Sequence, residues 1–274
     1  MKSRLVSIWV VALVGALGCA TTPGAMPAAE GGSGTARIEK PKPATKADRA
    51  QARSHQSMGV SYLRDGNVAL AIRELRSAAA LDPADKWIQL ALAEAYRRRG
   101  LLDDAEHHLL TALAIDPESQ EARLTLSALY VQMERYEEAI PLADWLIDEP
   151  TFPRPWLALT NKGYAQLKLG RYADARQSLE LALDYHEQYW RAILNLAILD
   201  AEEGKRLEAI ERLEDVAALE PGPLPTAEAH YRIGEIYVSF GNREGAIEHF
   251  TVAAGQQPSG QWGKRSKDYL KRLR

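Results

Sequence analysis

Residues 92–117 read LAEAYRRRGLLDDAEHHLLTALAIDP, and four of these residues indicate the fold class. They are a small residue, Ala93, a glycine, Gly100, a second small residue, Ala105, and a closing proline, Pro117. Apolar residues recur at helical spacing on both sides of the glycine, which predicts two helices joined by a tight turn. Glycine supplies the left-handed conformation that ends the first helix, and proline stops the second.

The same positions return along the chain at a period close to 34 residues. The small residue of the first helix recurs at spacings of 34, 34, 36, 34 and 37, in Gly59, Ala93, Ser127, Gly163, Ala197 and Gly234. The alanine of the second helix, where a methyl group lets two helices cross closely, recurs in all six copies: Ala71, Ala105, Ala139, Ala175, Ala209 and Ala246. The turn glycine recurs in five copies, and Glu134 takes its place in the third.

This periodic pattern resembles the tetratricopeptide repeat over residues 52–260. The resemblance implies an all-α, right-handed superhelical solenoid of six helix-turn-helix repeats, with a concave groove lined by the first helix of each repeat. The predicted repeats are 52–85, 86–119, 120–155, 156–189, 190–223 and 227–260. Residues 261–274 predict a capping helix over the last repeat. Its Lys and Arg side chains most simply keep its outer face soluble, and a docking patch for an anionic partner is the alternative.

The start of the chain has the pattern of an exported lipoprotein. Two basic residues precede an apolar run, 5–17, which is too short to span a membrane. Residues 16–19, ALGC, resemble a bacterial lipobox and contain the only cysteine of the chain. This implies a lipoprotein signal peptide at 1–18 and acylation of Cys19, which would anchor the protein in the outer membrane, facing the periplasm. From Cys19 to residue 51, a composition rich in Pro, Gly and Ala predicts a flexible linker.

Residues 149–156, EPTFPRPW, interrupt the period. Their three prolines forbid a helix, so we expect the solenoid to divide into two halves here. With the lipobox and the six copies, the run from Thr151 to Gly163 resembles the outer-membrane lipoproteins of type IV pilus biogenesis, the PilF/PilW/Tgl family of secretin pilotins. The resemblance implies a non-enzymatic scaffold that binds secretin subunits and promotes their localisation and multimerisation. An adaptor for other envelope complexes, such as peptidoglycan hydrolases or the outer-membrane assembly machinery, is the alternative.

First-helix positions that face the groove in this repeat type predict the partner-binding surface. They are Trp87, Leu90, Arg97, Arg98, Leu124, Val131, Leu157, Tyr164, Leu167, Leu194, Ile198 and Tyr231. An apolar strip of this kind suits an amphipathic helix or a strand from a partner, and packing between adjacent helices is the alternative for any single residue. Arg97 and Arg98 close a helix, where the macrodipole favours positive charge; a partner carboxylate is the second explanation for them.

Composition and spacing give no sign of catalysis. The six histidines show no metal-binding spacing, and no phosphate-binding loop, nucleophile elbow or dinucleotide fingerprint occurs. The net charge of −3 becomes −5 once Lys2 and Arg4 leave with the signal peptide, which gives no electrostatic case for nucleic acid. We therefore expect an outer-membrane secretin as partner, membrane attachment through the lipid, and no cofactor, metal, nucleic acid or small-molecule substrate. An envelope enzyme with an unrecognised site is the third hypothesis.

Overall fold

The computed structural model describes residues 39–273, which form thirteen α-helices and no strand. The lipobox, Cys19 and most of the predicted linker lie outside the described residues. The helices are α1 (Lys46–Arg64), α2 (Val68–Leu81), α3 (Lys86–Arg99), α4 (Leu102–Ile115), α5 (Gln120–Gln132), α6 (Tyr136–Asp148), α7 (Pro155–Lys168), α8 (Tyr172–Tyr185), α9 (Trp190–Glu202), α10 (Arg206–Ala218), α11 (Pro223–Ser239), α12 (Arg243–Gln256) and α13 (Gln261–Leu273). None of these helices is long and apolar enough to cross a membrane.

Twelve of the helices form six antiparallel pairs, and each helix packs on the next along the chain. The odd-numbered helices α1 to α11 are the first helices of the repeats, called A helices below, and the even-numbered helices are the B helices. Helix α13 covers the last pair, because Trp262 and Leu270 are buried with Phe250 of α12. The prediction of an all-α repeat solenoid with a C-terminal cap helix is confirmed.

The residues that set the period occupy the positions that the repeat requires. The alanine of every B helix is fully buried, which leaves room for the A helix to pack closely against it. The five turn glycines all have positive φ, between 73° and 81°. Glu134, which replaces glycine in the third repeat, adopts the same left-handed conformation with a φ of 60°, a conformation that costs a non-glycine residue about 1–2 kcal/mol.

In three repeats a glycine of the A helix is matched in shape to a large residue of the B helix. A Cβ added at Gly163 would lie 2.6 Å from Cγ of Leu179, so a glycine is needed for the two helices to approach this closely. The other two pairs are Gly59 with Leu75 and Gly234 with Phe250.

The third repeat reverses this arrangement. Ser127 stands where the other repeats have glycine or alanine, and the corresponding residue of the B helix is small, Ala143. The buried Ser127 hydroxyl donates a hydrogen bond to the carbonyl oxygen of Ala139, at 3.1 Å. A larger residue on the A helix is therefore accompanied by a smaller one on the B helix.

The structure moves two of the predicted boundaries. Helix α1 begins at Lys46, within the predicted linker, because Thr45 Oγ1 accepts a hydrogen bond from the backbone N–H of Asp48 and caps the helix. Helix α11 begins at Pro223, four residues before the predicted start of the sixth repeat. Proline is tolerated in the first turn, since its missing N–H would have no partner inside the helix.

The connection between the third and fourth repeats joins the two parts of the solenoid instead of dividing them. Its prolines do end the helix, since α6 stops at Asp148 and α7 starts at Pro155. Phe152, however, is only 7% exposed and packs with Leu146 of α6 and Ala158 of α7. Helices α6 and α7 also pack directly against each other, so the expected division into two halves is wrong.

Candidate functional site

The A helices form the inner side of the curved stack. Besides the contacts between chain neighbours, α1 contacts α3, α5 contacts α7, and α7 contacts α9. In the part of the chain that the structure describes, no two B helices make comparable contacts. Successive A helices are thus closer to each other than successive B helices are, which places the A helices on the concave side.

The twelve predicted groove residues divide into buried and accessible side chains. Four of them lie in the core between helices instead of in the open groove: Leu90, Leu167, Leu194 and Tyr231. Tyr231 is covered by the cap helix, with its ring centroid 5.0 Å from that of Trp262. Trp87 is 52% exposed, and five others are half-buried: Leu124, Val131, Leu157, Tyr164 and Ile198. Their role in partner binding stays a prediction.

The arginine pair at the end of α3 has partners within the chain. Arg97 and Arg98 both contact the carboxylate of Glu94, at 2.8 Å and 2.5 Å. Arg98 Nη1 also donates a hydrogen bond of 2.8 Å to the carbonyl oxygen of Leu63, near the end of α1. The Arg98–Leu63 hydrogen bond connects the first two repeats, and together these contacts account for both arginine side chains without a partner carboxylate.

The predicted groove residue Tyr164 lies beside a second aromatic ring and near charged groups. The rings of Tyr136 and Tyr164 meet edge to face, with their centroids 6.3 Å apart. Burial and the carboxylate of Glu228 raise the pKa of the Tyr164 hydroxyl, while the Arg232 guanidinium lowers it. Because Glu228 and Arg232 belong to α11 and pair with each other at 2.7 Å, charges of the sixth repeat act on an aromatic residue of the fourth.

An open cleft of about 310 Å³, the Trp87 cleft, lies at the edge of the groove. It is lined by Trp87, by the start of α5 and by Pro153 and Arg154 of the proline-rich connection. The ammonium group of Lys86 lies 5.0 Å from the centre of the Trp87 ring and 2.5 Å from a carboxylate oxygen of Asp116. This pairing lowers the pKa of Asp116. The cleft offers an accessible aromatic surface beside charges of both signs.

A second cleft of about 240 Å³ opens between the fifth and sixth repeats. Ile198 and Ile236 are among its apolar residues, and Glu202, Arg206 and Arg232 supply charges. Sequence reasoning identified Ile198 but missed the others, because it considered only fixed positions of each A helix. The available signal was the adjacency of the fifth and sixth repeats, which brings α9, α10 and α11 together.

A buried arginine is a feature of the third repeat that the sequence did not reveal. The guanidinium of Arg123 lies 3.4 Å from the ring centre of Trp145, and its Nε and Nη1 atoms have no hydrogen-bond partner. Burial lowers the pKa of Arg123, although Glu118 and Asp116 oppose this effect. With only 6% of the residue exposed, it belongs to the packing of α5 on α6 and not to the accessible groove.

Four of the six histidines form hydrogen bonds that cross from an A helix to its B helix. Each of the three bonds joins residues nineteen positions apart: His55 with Glu74 at 2.9 Å, Gln89 with His108 at 2.7 Å, and His230 with His249 at 3.0 Å. Burial lowers the pKa of His108 to about 4 and also lowers those of His230 and His249. Within residues 39–273, no three His, Cys, Asp or Glu side chains group as metal ligands.

Comparisons with known proteins agree with this geometry. The tetratricopeptide-repeat family model matches residues 57–120, 124–191 and 194–260. The comparison with curated proteins gives no match.

Three solved structures show the same fold at identities below 25%. The crystal structure of PilW, described as a widely conserved type IV pilus biogenesis factor, is 22% identical with a TM-score of 0.69, and the match covers 81% of this chain and 99% of that one. PilF of Pseudomonas aeruginosa is 20% identical with a TM-score of 0.63, over 82% of this chain and 100% of that one. The APC/C hetero-tetramer Cut9–Hcn1 gives 19% identity and a TM-score of 0.67, over 83% of this chain and 43% of that one.

Proposed function

The chain belongs to the tetratricopeptide-repeat family, and we propose that it is an outer-membrane lipoprotein scaffold of type IV pilus assembly. In this proposal it binds secretin subunits, promotes their localisation and multimerisation, and performs no catalysis itself. Its partner is a protein, and the membrane holds it through the acylated Cys19.

The observation that carries the proposal is the extent of the structural match. PilW and PilF are covered over 99% and 100% of their length, and each match takes in about four-fifths of this chain. The match to Cut9–Hcn1 covers only 43% of that chain. The match therefore extends over essentially the entire length of both pilus proteins. A match of this extent supports a shared role more strongly than a match to part of a longer repeat protein would.

The accessible groove residues supply the binding surface in this proposal. Trp87 is exposed and Tyr164 is half-buried, and charged side chains lie near both aromatic rings. Aromatic side chains of this kind are the residues at which truncation weakens protein interfaces most, commonly by more than 1 kcal/mol each. A helix or an extended segment of the secretin would place its apolar side chains against these rings.

The test is the level of detergent-resistant secretin multimers in a deletion strain. The deletion should reduce these multimers in the outer-membrane fraction, and the wild-type chain should restore them. Normal multimer levels in the deletion strain would eliminate the proposal.

Single substitutions then test the groove itself. Trp87→Ala and Tyr164→Ala should each weaken secretin binding about tenfold or more. Tyr185→Ala is the matched control, since Tyr185 is a highly exposed aromatic residue near the end of a B helix. A control variant as defective as the two groove variants would exclude the groove as the binding surface.

The membrane anchor has a separate test. Cys19→Ala removes the acylation site but leaves the residues of the repeats unchanged, so it should shift the protein out of the outer-membrane fraction without altering its helix content. Wild-type amounts of this variant in the outer membrane would rule out the lipid anchor.

An adaptor for other envelope complexes is the second candidate. The similarity to Cut9–Hcn1 favours it, because a comparable repeat array occurs there in a different assembly. Crosslinking from the groove that recovers peptidoglycan hydrolases or outer-membrane assembly proteins, and no secretin, would select this candidate over the first.

A further inference from the structure

Helix α13 concentrates positive charge on one exposed face. Its sequence, QWGKRSKDYLKRL, contains five basic residues and one acidic residue, so the helix carries +4 while the whole chain has a net charge of −3. All five basic side chains are exposed: Lys264, Arg265, Lys267, Lys271 and Arg272. We call this surface the α13 basic face.

The opposite side of α13 is fixed on the last repeat. Trp262 and Leu270 are buried, and the ring of Tyr269 stacks on that of Phe250 with a centroid distance of 4.5 Å. This apolar side is therefore unavailable for insertion into another environment. Only the cationic side of the helix can meet a partner, and it can do so through electrostatics alone.

Little inside the protein neutralises the basic face. Lys271 pairs with Asp268 at 3.2 Å, but both side chains are more than 60% exposed, so the attraction is weak. Lys267 donates a hydrogen bond to the carbonyl oxygen of Pro258 at 2.9 Å, and a carbonyl cancels no charge. Among the described residues, no side chain forms a hydrogen bond or an ion pair with the side chain of Lys264 or Arg272.

We propose that the α13 basic face docks on the surface of a bilayer that contains anionic phospholipids. Basic clusters of four to eight residues on an amphipathic helix are attracted to anionic headgroups. A protein partner would need an apolar anchor that becomes buried in the interface, and α13 has no exposed large apolar residue. A smooth cationic surface without such an anchor fits a diffuse layer of phosphate groups better than a shaped protein surface.

This inference goes beyond the proposed function, because it concerns an attraction of the folded repeats to lipid that does not require Cys19. The test is sedimentation of the purified chain with phosphatidylcholine vesicles that contain about 30% phosphatidylglycerol. The chain without residues 1–19 is suitable, since residues 38–274 form a compact unit of their own. It should bind these vesicles, ignore vesicles of phosphatidylcholine alone, and dissociate as the salt concentration approaches about 1 M, where charges are screened beyond about 3 Å.

The decisive variant combines Lys264→Gln, Lys271→Gln and Arg272→Gln, which touch no core contact. Each lost cation near an anionic surface weakens partitioning about fivefold, so the triple variant should bind about 100-fold more weakly. A matched control combines Arg64→Gln, Arg99→Gln and Lys168→Gln, three exposed residues at the ends of A helices. The control changes the net charge equally and should retain vesicle binding. Unchanged far-UV circular dichroism verifies that both triple variants are folded.

Three results would overturn the proposal. They are no binding of the wild-type chain to anionic vesicles, equal losses in the two triple variants, and binding that resists high salt. Binding of the wild-type chain to polyglutamate but not to vesicles, lost in the α13 triple variant, would also overturn it, because the occupant would then be an acidic protein segment.

Discussion

The packing of Gly163 against Leu179 allows a quantitative test of the repeat register. A methyl group at position 163 would lie 2.6 Å from Cγ and 2.8 Å from Cδ2 of Leu179, much closer than such atoms approach in proteins. The Gly163→Ala substitution gains about 1 kcal/mol of helix propensity and loses about 1–3 kcal/mol through overpacking. We expect the free energy of unfolding to fall by about 1 kcal/mol, which lowers the Tm by about 2–4 °C at this chain length.

Gly255 provides the control for this substitution. It lies in helix α12 and is exposed, and a Cβ added there would meet no atom within 4 Å. Gly255→Ala should therefore keep the gain in helix propensity and stabilise the protein by about 0.5–1 kcal/mol. Thermal and urea unfolding, followed by far-UV circular dichroism, measure both variants. A Gly163→Ala variant as stable as Gly255→Ala would show that Leu179 does not exclude a methyl group at position 163.

A double-mutant cycle tests the contact between the two residues directly. Leu179→Ala alone should cost about 2–5 kcal/mol, since it empties a fully buried site. When it is combined with Gly163→Ala, the new methyl group no longer meets the leucine, and the pair should be at least about 1 kcal/mol more stable than the sum of the single effects. The third repeat already has a comparable pair, with the larger residue on the A helix, Ser127, and the smaller one on the B helix, Ala143. Strictly additive effects would show that residues 163 and 179 do not constrain each other.

Three further substitutions test other features of the fold. Glu134→Gly should raise the free energy of unfolding by about 0.5 kcal/mol, because removing the strain of a glutamate in the left-handed conformation outweighs the larger entropy of glycine in the unfolded chain. A lower Tm would contradict this expectation. Arg123→Met should be about 2 kcal/mol more stable than Arg123→Lys, because the ammonium group of a buried lysine cannot reproduce the flat stacking of the guanidinium on Trp145. A lysine variant that is more stable than the methionine variant in urea unfolding would disprove this prediction. Because burial lowers the pKa values of His230 and His249, their stabilising contribution is complete above about pH 6.5 and declines below it. The Tm of His230→Gln should therefore fall less between pH 7 and pH 5 than that of the wild-type chain. An equal fall in both would mean that other groups cause the acid destabilisation.

The repeat architecture could be predicted from sequence because each repeat depends on a few residues with strict local requirements. A buried alanine where helices cross recurs in all six copies and a turn glycine with positive φ recurs in five, and the structure places both as expected. The helix starts at Lys46 and Pro223 were harder to recognise. Thr45 lies in a polar, proline-containing stretch typical of a linker, and prolines that would end one helix can equally occupy the first turn of the next.

The accessible surface of the groove was less predictable than the fold. Fixed positions of the A helix indicate which direction a side chain faces, but not how closely the neighbouring A helix covers it. Leu90 and Leu194 are nevertheless buried, in clusters formed with residues of their own B helix and of the next repeat. Tyr231 is covered because α13 lies against it, a contact that depends on how the cap helix docks. The clefts beside Trp87 and Ile198 combine residues from three or more segments, so no single repeat contains their pattern.

The contacts between A helices also determine where this solenoid can bend. The resistance of a curved helical stack to bending depends on the contacts along its concave side. A hinge would ordinarily be expected at the proline-rich connection. Instead, α5 and α7 are in contact across that connection, whereas α3 with α5 and α9 with α11 lack comparable contacts. The elastic weak points therefore lie between the second and third repeats and between the fifth and sixth repeats. A partner that widens the groove would displace the two ends of the solenoid around a stiff central segment.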